Sequence, residues 1–306
     1  MDSIFAPDLW ILVTLAAATF QTGRFMLQKH LATDTLSAGG ATFSRFLYSA
    51  PFIALLLPLY LGLSGQALPA LGPGFWLYGA MGGTAQIMAT VCVVLLFKQR
   101  NFAVGITFKK TEVIQTVLMG WIVLGEGVSG AGFAAIALGV VGLLLLSGGA
   151  EAKGLRLADL RNRAAGLGIA SGFLFAISAV CYRGASLAVV SDDPLLRAGV
   201  TLAAVVLMQT LIMAVWLRLR EPGQMRRVWA ARRVAVWIGL TSMGGSLCWF
   251  IAFTLQNAAY VKALGQVELM LSIAASTLFF RERISRREWA GMAVLALSIL
   301  ALVLAT

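Results

Sequence analysis

The stretch FAVGITFKKTEVIQTVLMGWIVL, residues 102–124, is long enough to cross a membrane, yet Lys109, Lys110 and Glu112 stand near its middle. A membrane is nevertheless its solvent. Of the 306 residues 59% are hydrophobic and 12% charged, and the mean hydropathy is +0.87, more apolar surface than a soluble core absorbs. About 20 apolar residues, each rising roughly 1.5 Å, cover about 30 Å of hydrocarbon. A charge at that depth costs about 2.5–3.5 kcal/mol even on a lenient insertion scale, so these side chains are expected to face a wet cavity or a partner.

Working outward, the hydropathy predicts an all-α polytopic membrane protein with ten spans. They lie near 9–28, 38–62, 74–97, 102–124, 130–148, 165–187, 195–217, 233–254, 258–280 and 287–305. The links are short and turn-like, as in LPALGPG at 68–74 and GEGVSG at 125–130. The first span follows MDSIFAPD, which has two acids and no Lys or Arg, so it reads as a helix and not a secretory signal. Cys92, Cys181 and Cys248 all fall inside spans, without metal-ligand or disulfide spacing, and read as packing residues.

The formal charge of +11 is sorted by loop. Lys29, then Lys98 and Arg100, then Lys153, Arg156, Arg161 and Arg163 occupy the first, third and fifth connections. Arg218 to Arg233 and Arg281 to Arg287 fill the seventh and ninth. By the positive-inside rule these loops are cytoplasmic and both termini lie on the far side of what is read as a bacterial inner membrane. The charge therefore reads as topology and lipid contact, with no nucleic-acid partner. All eight Trp residues lie near predicted span ends, where an indole prefers to sit.

Residues 97–146 can be laid on 253–302 without a gap. Phe97 meets Phe253, Asn101 meets Asn257, Glu112 meets Glu268, Glu126 meets Glu282 and Ser129 meets Ser285. Lys98 and Arg100 oppose Thr254 and Gln256, whereas Gly125, Gly127, Gly130 and Ala131 oppose Arg281, Arg283, Arg286 and Arg287. Positive charge at opposite ends of matching helices predicts two five-helix repeats inserted upside down to each other, as in secondary transporters with a site between the halves. The units are residues 1–150, a basic linker at 151–163, and residues 164–306.

The segments LGEGVSGAGFAAIALGVVG at 124–142 and FRERISRREWAGMAVLA at 280–296, with Ser44-Arg45-Phe46 in the second span, resemble EamA-type transporters of the drug/metabolite transporter superfamily. The resemblance implies a ten-helix inner-membrane carrier of small metabolites working by alternating access, with no particular substrate. Members often carry a Pro in the middle of the fourth and ninth helices. This chain has Lys109-Lys110 and Gly265-Gln266 there, which is more similar to the sugar-phosphate and nucleotide-sugar branches.

Depth places the candidate site. Lys109 and Lys110 lie roughly 10–12 Å into the fourth span and Glu112 about 15 Å; Lys262 lies about 6 Å into the ninth and Glu268 about 15 Å. Gln21 and Arg24 share a face of the first span with Gln28, Arg45 and Tyr48 one of the second, and Gln266 lies close to Glu268. Lys109 and Glu112, three apart, can pair, either as structure or as part of the site, while Lys110 points about 100° away and needs another partner. Arg24, Arg183 and Arg197 near span ends can alternatively snorkel to head groups, and Glu126 and Glu282 read as helix-start caps. The pattern suits a carboxylate- or phosphate-bearing substrate, with Glu112 and Glu268 free to carry protons or to remain ionised in an anion exchanger. The alternative is an exporter of amino acids, amines or drug-like cations bound by the two acids. His30 is the sole histidine and Asp192-Asp193 the only acidic pair of Asp, so neither enzyme chemistry nor a metal or cofactor is expected. The two halves partner each other, which makes a monomer sufficient and leaves a dimer open.

Overall fold

A computed structural model describes residues 9–34, 36–97, 108–147, 163–280 and 285–306. Among them the chain forms α1 (Leu9–Asp34), α2 (Ala38–Ser64), α3 (Phe75–Phe97), α4 (Glu112–Leu124), α5 (Gly130–Ser147), α6 (Arg163–Leu187), α7 (Pro194–Arg220), α8 (Gln224–Ala230), α9 (Arg232–Leu255), α10 (Ala258–Leu264), α11 (Val267–Phe280) and α12 (Arg286–Leu304). Six of these, α2, α3, α6, α7, α9 and α12, are long and apolar enough to cross a membrane, and α4 and α5 are shorter apolar helices. The linker at 151–162, and Lys98, Arg100, Arg281 and Glu282, lie outside the described residues.

Two of the expected spans are interrupted. Lys110 and Thr111 form a turn before α4, and Gly265 and Gln266 form one between α10 and α11. At the second break the ladder tightens to i→i+3 bonds, Gln266 N to Ala263 O and Glu268 N to Gly265 O. The first break immediately precedes Glu112 and the second lies one residue before Glu268, the two acids that the sequence alignment pairs. Apolar periodicity runs unbroken through them because a turn of two residues leaves the hydropathy unchanged.

The halves interleave: α3 packs along α6, α1 along α9, α5 along α12, and α2 against both α7 and α9. Small residues permit the approach. A Cβ on Gly83 would collide with Met208 Cε, one on Gly142 would lie 2.8 Å from Leu295 N, and one on Gly172 would lie 2.9 Å from Lys109 O. The last contact seats α6 directly against the break before α4. Ser298 Oγ donates to Ala135 O across the α5–α12 seam at 2.7 Å.

Helix ends carry their own signals. Asp193 caps α7 by accepting from Leu195 N and Leu196 N, with Pro194 at the first position. Ser285 and Glu288 form a capping box on α12, and Ser129 accepts from Gly132 N at the start of α5. α4 ends at Gly125 with φ 67°, a conformation that suits glycine. The short α8 tucks Val228 inward and exposes Trp229.

Candidate functional site

Around the breaks, α1, α2, α3, α6, α9 and α10 enclose a narrow cavity of about 30 Å³. Gln21, Arg24, Arg45 and Lys262 line it, as the sequence reading expected. Gln86, Tyr182, Phe175 and Trp249 line it as well, and that reading did not name them. Trp249, placed at a span end by sequence, is 9% exposed and faces the cavity; an aromatic residue gives no sign in sequence of which way its face turns.

Glu112 stands in the first turn of α4 and is buried. Its two oxygens are taken by different halves of the chain: Lys109 Nζ lies 3.3 Å from Oε2 and Lys262 Nζ 2.5 Å from Oε1. The expected Lys109–Glu112 pair exists, but the shorter bond comes from α10. Lys262 also lies over Trp249 and Phe175, at 5.0 and 5.6 Å from the ring centroids, close enough for cation–π attraction. Glu268, its counterpart in the first turn of α11, accepts from Gln21 Nε2 at 2.6 Å, and Gln21 Oε1 in turn accepts from Trp249 Nε1 at 3.2 Å. Arg24 and Lys110 are within electrostatic reach of Glu268.

Arg45 is 5% exposed and is held by hydroxyls: Nε donates to Ser242 Oγ at 2.7 Å, and the other nitrogens reach Thr90 Oγ1 at 3.2 Å and Ser246 Oγ at 3.4 Å. Hydroxyls orient a guanidinium without neutralising it. Lys110 is 7% exposed and makes no ion pair or hydrogen bond among the described residues. Arg24, Arg45, Lys109, Lys110 and Lys262 stand together with Glu112 and Glu268, five formal positive charges to two negative among these described residues.

Two expected residues go elsewhere. Tyr48 turns its hydroxyl to Val228 O of α8 at 3.2 Å, packing the α2–α9 seam outside the cavity. Gln266 is buried in the break and donates to Lys262 O, one turn back, at 3.2 Å. Arg24 does not snorkel; it is 3% exposed.

Next to the cavity residues Tyr182 and Phe253, a latch ties several elements together. Glu126, expected to cap α5, instead accepts from Arg183 Nε at 2.9 and 2.7 Å, and Arg183 NH1 donates to Phe253 O and Gln256 O at 2.7 and 2.8 Å. Asn257 Nδ2 donates to Gly127 O at 3.3 Å, and Tyr260 Oη accepts from Ser129 N at 2.9 Å. The α4–α5 turn is thus tied to α6, α9 and α10. Arg197, another snorkelling candidate, donates to Val189 O and Leu187 O at the end of α6.

The model of the EamA-like transporter family matches residues 162–304. Residues 162–304 are an EamA-like transporter domain. EamA proteins are membrane transporters of the drug/metabolite superfamily, and with its apolar helices this chain is an integral membrane protein. A comparison with curated proteins gives no match. Among solved structures, one described as "Crystal structure of protein" is 16% identical, with a TM-score of 0.70 over 97% of each chain, and so this chain shares that structure's fold.

Proposed function

We propose that the protein is a secondary transporter that moves a small anionic metabolite, bearing a carboxylate or phosphate, across a bacterial inner membrane by alternating access. The observation that carries this is a cluster of buried cations: Arg24, Arg45 and Lys262 line the cavity, and Lys109 and Lys110 stand at the break before α4. Burying unpaired charge costs several kcal/mol on the order of each ion, and a bound anion offsets it. Arg45, set by three hydroxyls, and Lys110, without an ion pair, are the groups that gain most from it.

Two inverted five-helix repeats, with both termini on the non-cytoplasmic side and a monomer as the working unit, fit this reading. The interleaved halves, the breaks preceding Glu112 and Glu268 and the opposed loop charges support it. The half-helices α4 and α11 start beside the cluster, where their N-terminal dipoles favour negative charge. Alternating access then needs the Arg183 latch to open at one end. Coupling is by proton movement or by anion exchange. Binding of amines or drug-like cations by the acids is less favoured, because Glu112 already holds two lysines and Glu268 accepts from Gln21.

The test is thermal stability of detergent-purified protein against succinate, inorganic phosphate, glycine and spermidine, run beside Lys110→Met. At a hundredfold excess over Kd, binding contributes about 2.7 kcal/mol, several degrees in Tm. Stabilisation by an anion, lost in Lys110→Met, is expected, followed by flux of that anion in proteoliposomes. Stabilisation by spermidine or glycine alone, unchanged in the variant, overturns the anion reading.

A further inference from the structure

We propose that Gln86 is a recognition residue that donates to a second oxygen of the carried anion, so that the cargo is a short organic acid with an additional carbonyl, hydroxyl or carboxylate acceptor. The inference rests on the anionic reading of the same cavity and specifies which anion enters it.

Gln86 lies midway along α3 and lines the cavity. Its Oε1 accepts from Tyr182 Oη at 3.0 Å and from Gln209 Nε2 at 3.0 Å. Gln209 cannot present its oxygen there, because its Nε2 also donates to Gly83 O at 3.0 Å, and a carbonyl only accepts. Tyr182 and Gln209 are each 1% exposed, so this network cannot be rearranged by solvent. The orientation of the Gln86 amide follows: its carbonyl is occupied by two donors, and its NH2 group, which makes no hydrogen bond among the described residues, is left for the cavity. Gln86 is part-buried, and its pre-oriented amide gains roughly 0.5–1.5 kcal/mol, the net worth of one hydrogen bond, when a ligand oxygen accepts from it.

The neighbouring residues give the spacing. Thr90 stands one turn further along α3, bonds back to Gln86 O at 2.8 Å, and receives Arg45 NH1 at 3.2 Å. Side chains one turn apart are about 5–6 Å from each other, so Gln86 and the Thr90 that receives Arg45 stand close enough for one short molecule to meet both the amide and the guanidinium. Arg45 takes the anionic group and Gln86 the second oxygen. The facing wall contributes Phe175, Phe250 and Trp249; the Trp249 N–H is committed to Gln21, so this wall offers apolar contact to the carbon bridge.

The probes are 4-oxopentanoate and pentanoate, which share charge and carbon count and differ by one carbonyl oxygen. Wild-type protein is expected to bind the oxo acid about tenfold or more tightly, the worth of a hydrogen bond to a site built to make it. Gln86→Glu keeps an oxygen for Tyr182 and Gln209 and so preserves the network, but turns an acceptor to the ligand; Gln86→Leu removes the donor. Both should bring the ratio of the two affinities to about one, and Tyr182→Phe, which frees the amide to turn, should lower it part of the way. Tm without ligand reports folding in each variant. A purely structural Gln86 would weaken both acids equally and leave the ratio intact, which overturns the inference while the anionic reading stands. Equal binding of both acids by wild type does the same. Wild type that binds neither acid, and is stabilised by no other anion, overturns both.

Discussion

Replacing Arg183 by Ala should release the α4–α5 turn from α6, α9 and α10 without unfolding the bundle. Arg183 makes four hydrogen bonds, two to the Glu126 carboxylate and two to the carbonyls of Phe253 and Gln256, at 2.7–2.9 Å. Hydrogen bonds to charged groups contribute about 1.5–3 kcal/mol when buried. The two side chains retain 14% and 25% exposure, so water screens the pair and replaces part of what is lost, and the total falls to about 2–3 kcal/mol. That free energy corresponds to a roughly 30- to 160-fold shift between closed and open forms. Backbone hydrogen exchange reads it directly: amides in residues 125–132 and 253–262 should exchange faster by that factor, while those along the α3–α6 seam should not. Glu126→Gln should produce a smaller effect in the same segments, and the double variant less than the sum, because one interaction is being removed twice. Unchanged exchange at the α4–α5 turn, or acceleration spread evenly over the bundle, would refute the latch.

Gly172→Ala should lower Tm in detergent, since the added methyl meets the backbone at Lys109 O and Glu112 N at 2.9 and 3.3 Å and overpacking costs about 1–3 kcal/mol. Gly23→Ala, with nothing within 4 Å of the new carbon, should be neutral or stabilising by up to about 1 kcal/mol. At the loop before α7, burial pushes the Asp193 carboxyl up, but the hydrogen bonds from Tyr60 and Gln66 and from the Leu196 and Leu195 amides outweigh it and hold it below its ordinary value. A depressed folded-state value means that the contribution is complete above the ordinary carboxylate range and is lost as pH falls through the lowered value. Asp193→Ala should therefore cost about 1 kcal/mol near neutral pH and nothing at the acid limit, as followed by Tm against pH, whereas Asp193→Asn should retain much of the cap and lose the acid dependence.

Hydropathy predicted ten spans; among the described residues six helices are long and apolar enough to cross a membrane, with α4 and α5 shorter apolar helices, and a bilayer leaves such segments no other way to satisfy their backbone. The same linear information located the buried charges: Arg24, Arg45, Lys109, Lys110, Glu112, Lys262 and Glu268 are conspicuous against apolar neighbours. It could not reveal that Lys262 reaches Glu112 across the two halves, that Glu126 serves Arg183 and leaves capping to Ser129, or that Tyr48 turns from the cavity to Val228. Nor did it mark Gln86, Tyr182 and Trp249 as cavity residues, since uncharged polar and aromatic side chains are common throughout membrane helices. Composition and spacing determine which segments are apolar enough for a membrane and where along them each charge stands, because those depend on transfer from water along one dimension. Pairing depends on how helices rotate and cross, which small residues such as Gly172 and Gly142 set through contacts between segments distant in the chain, and only the tertiary structure decides it.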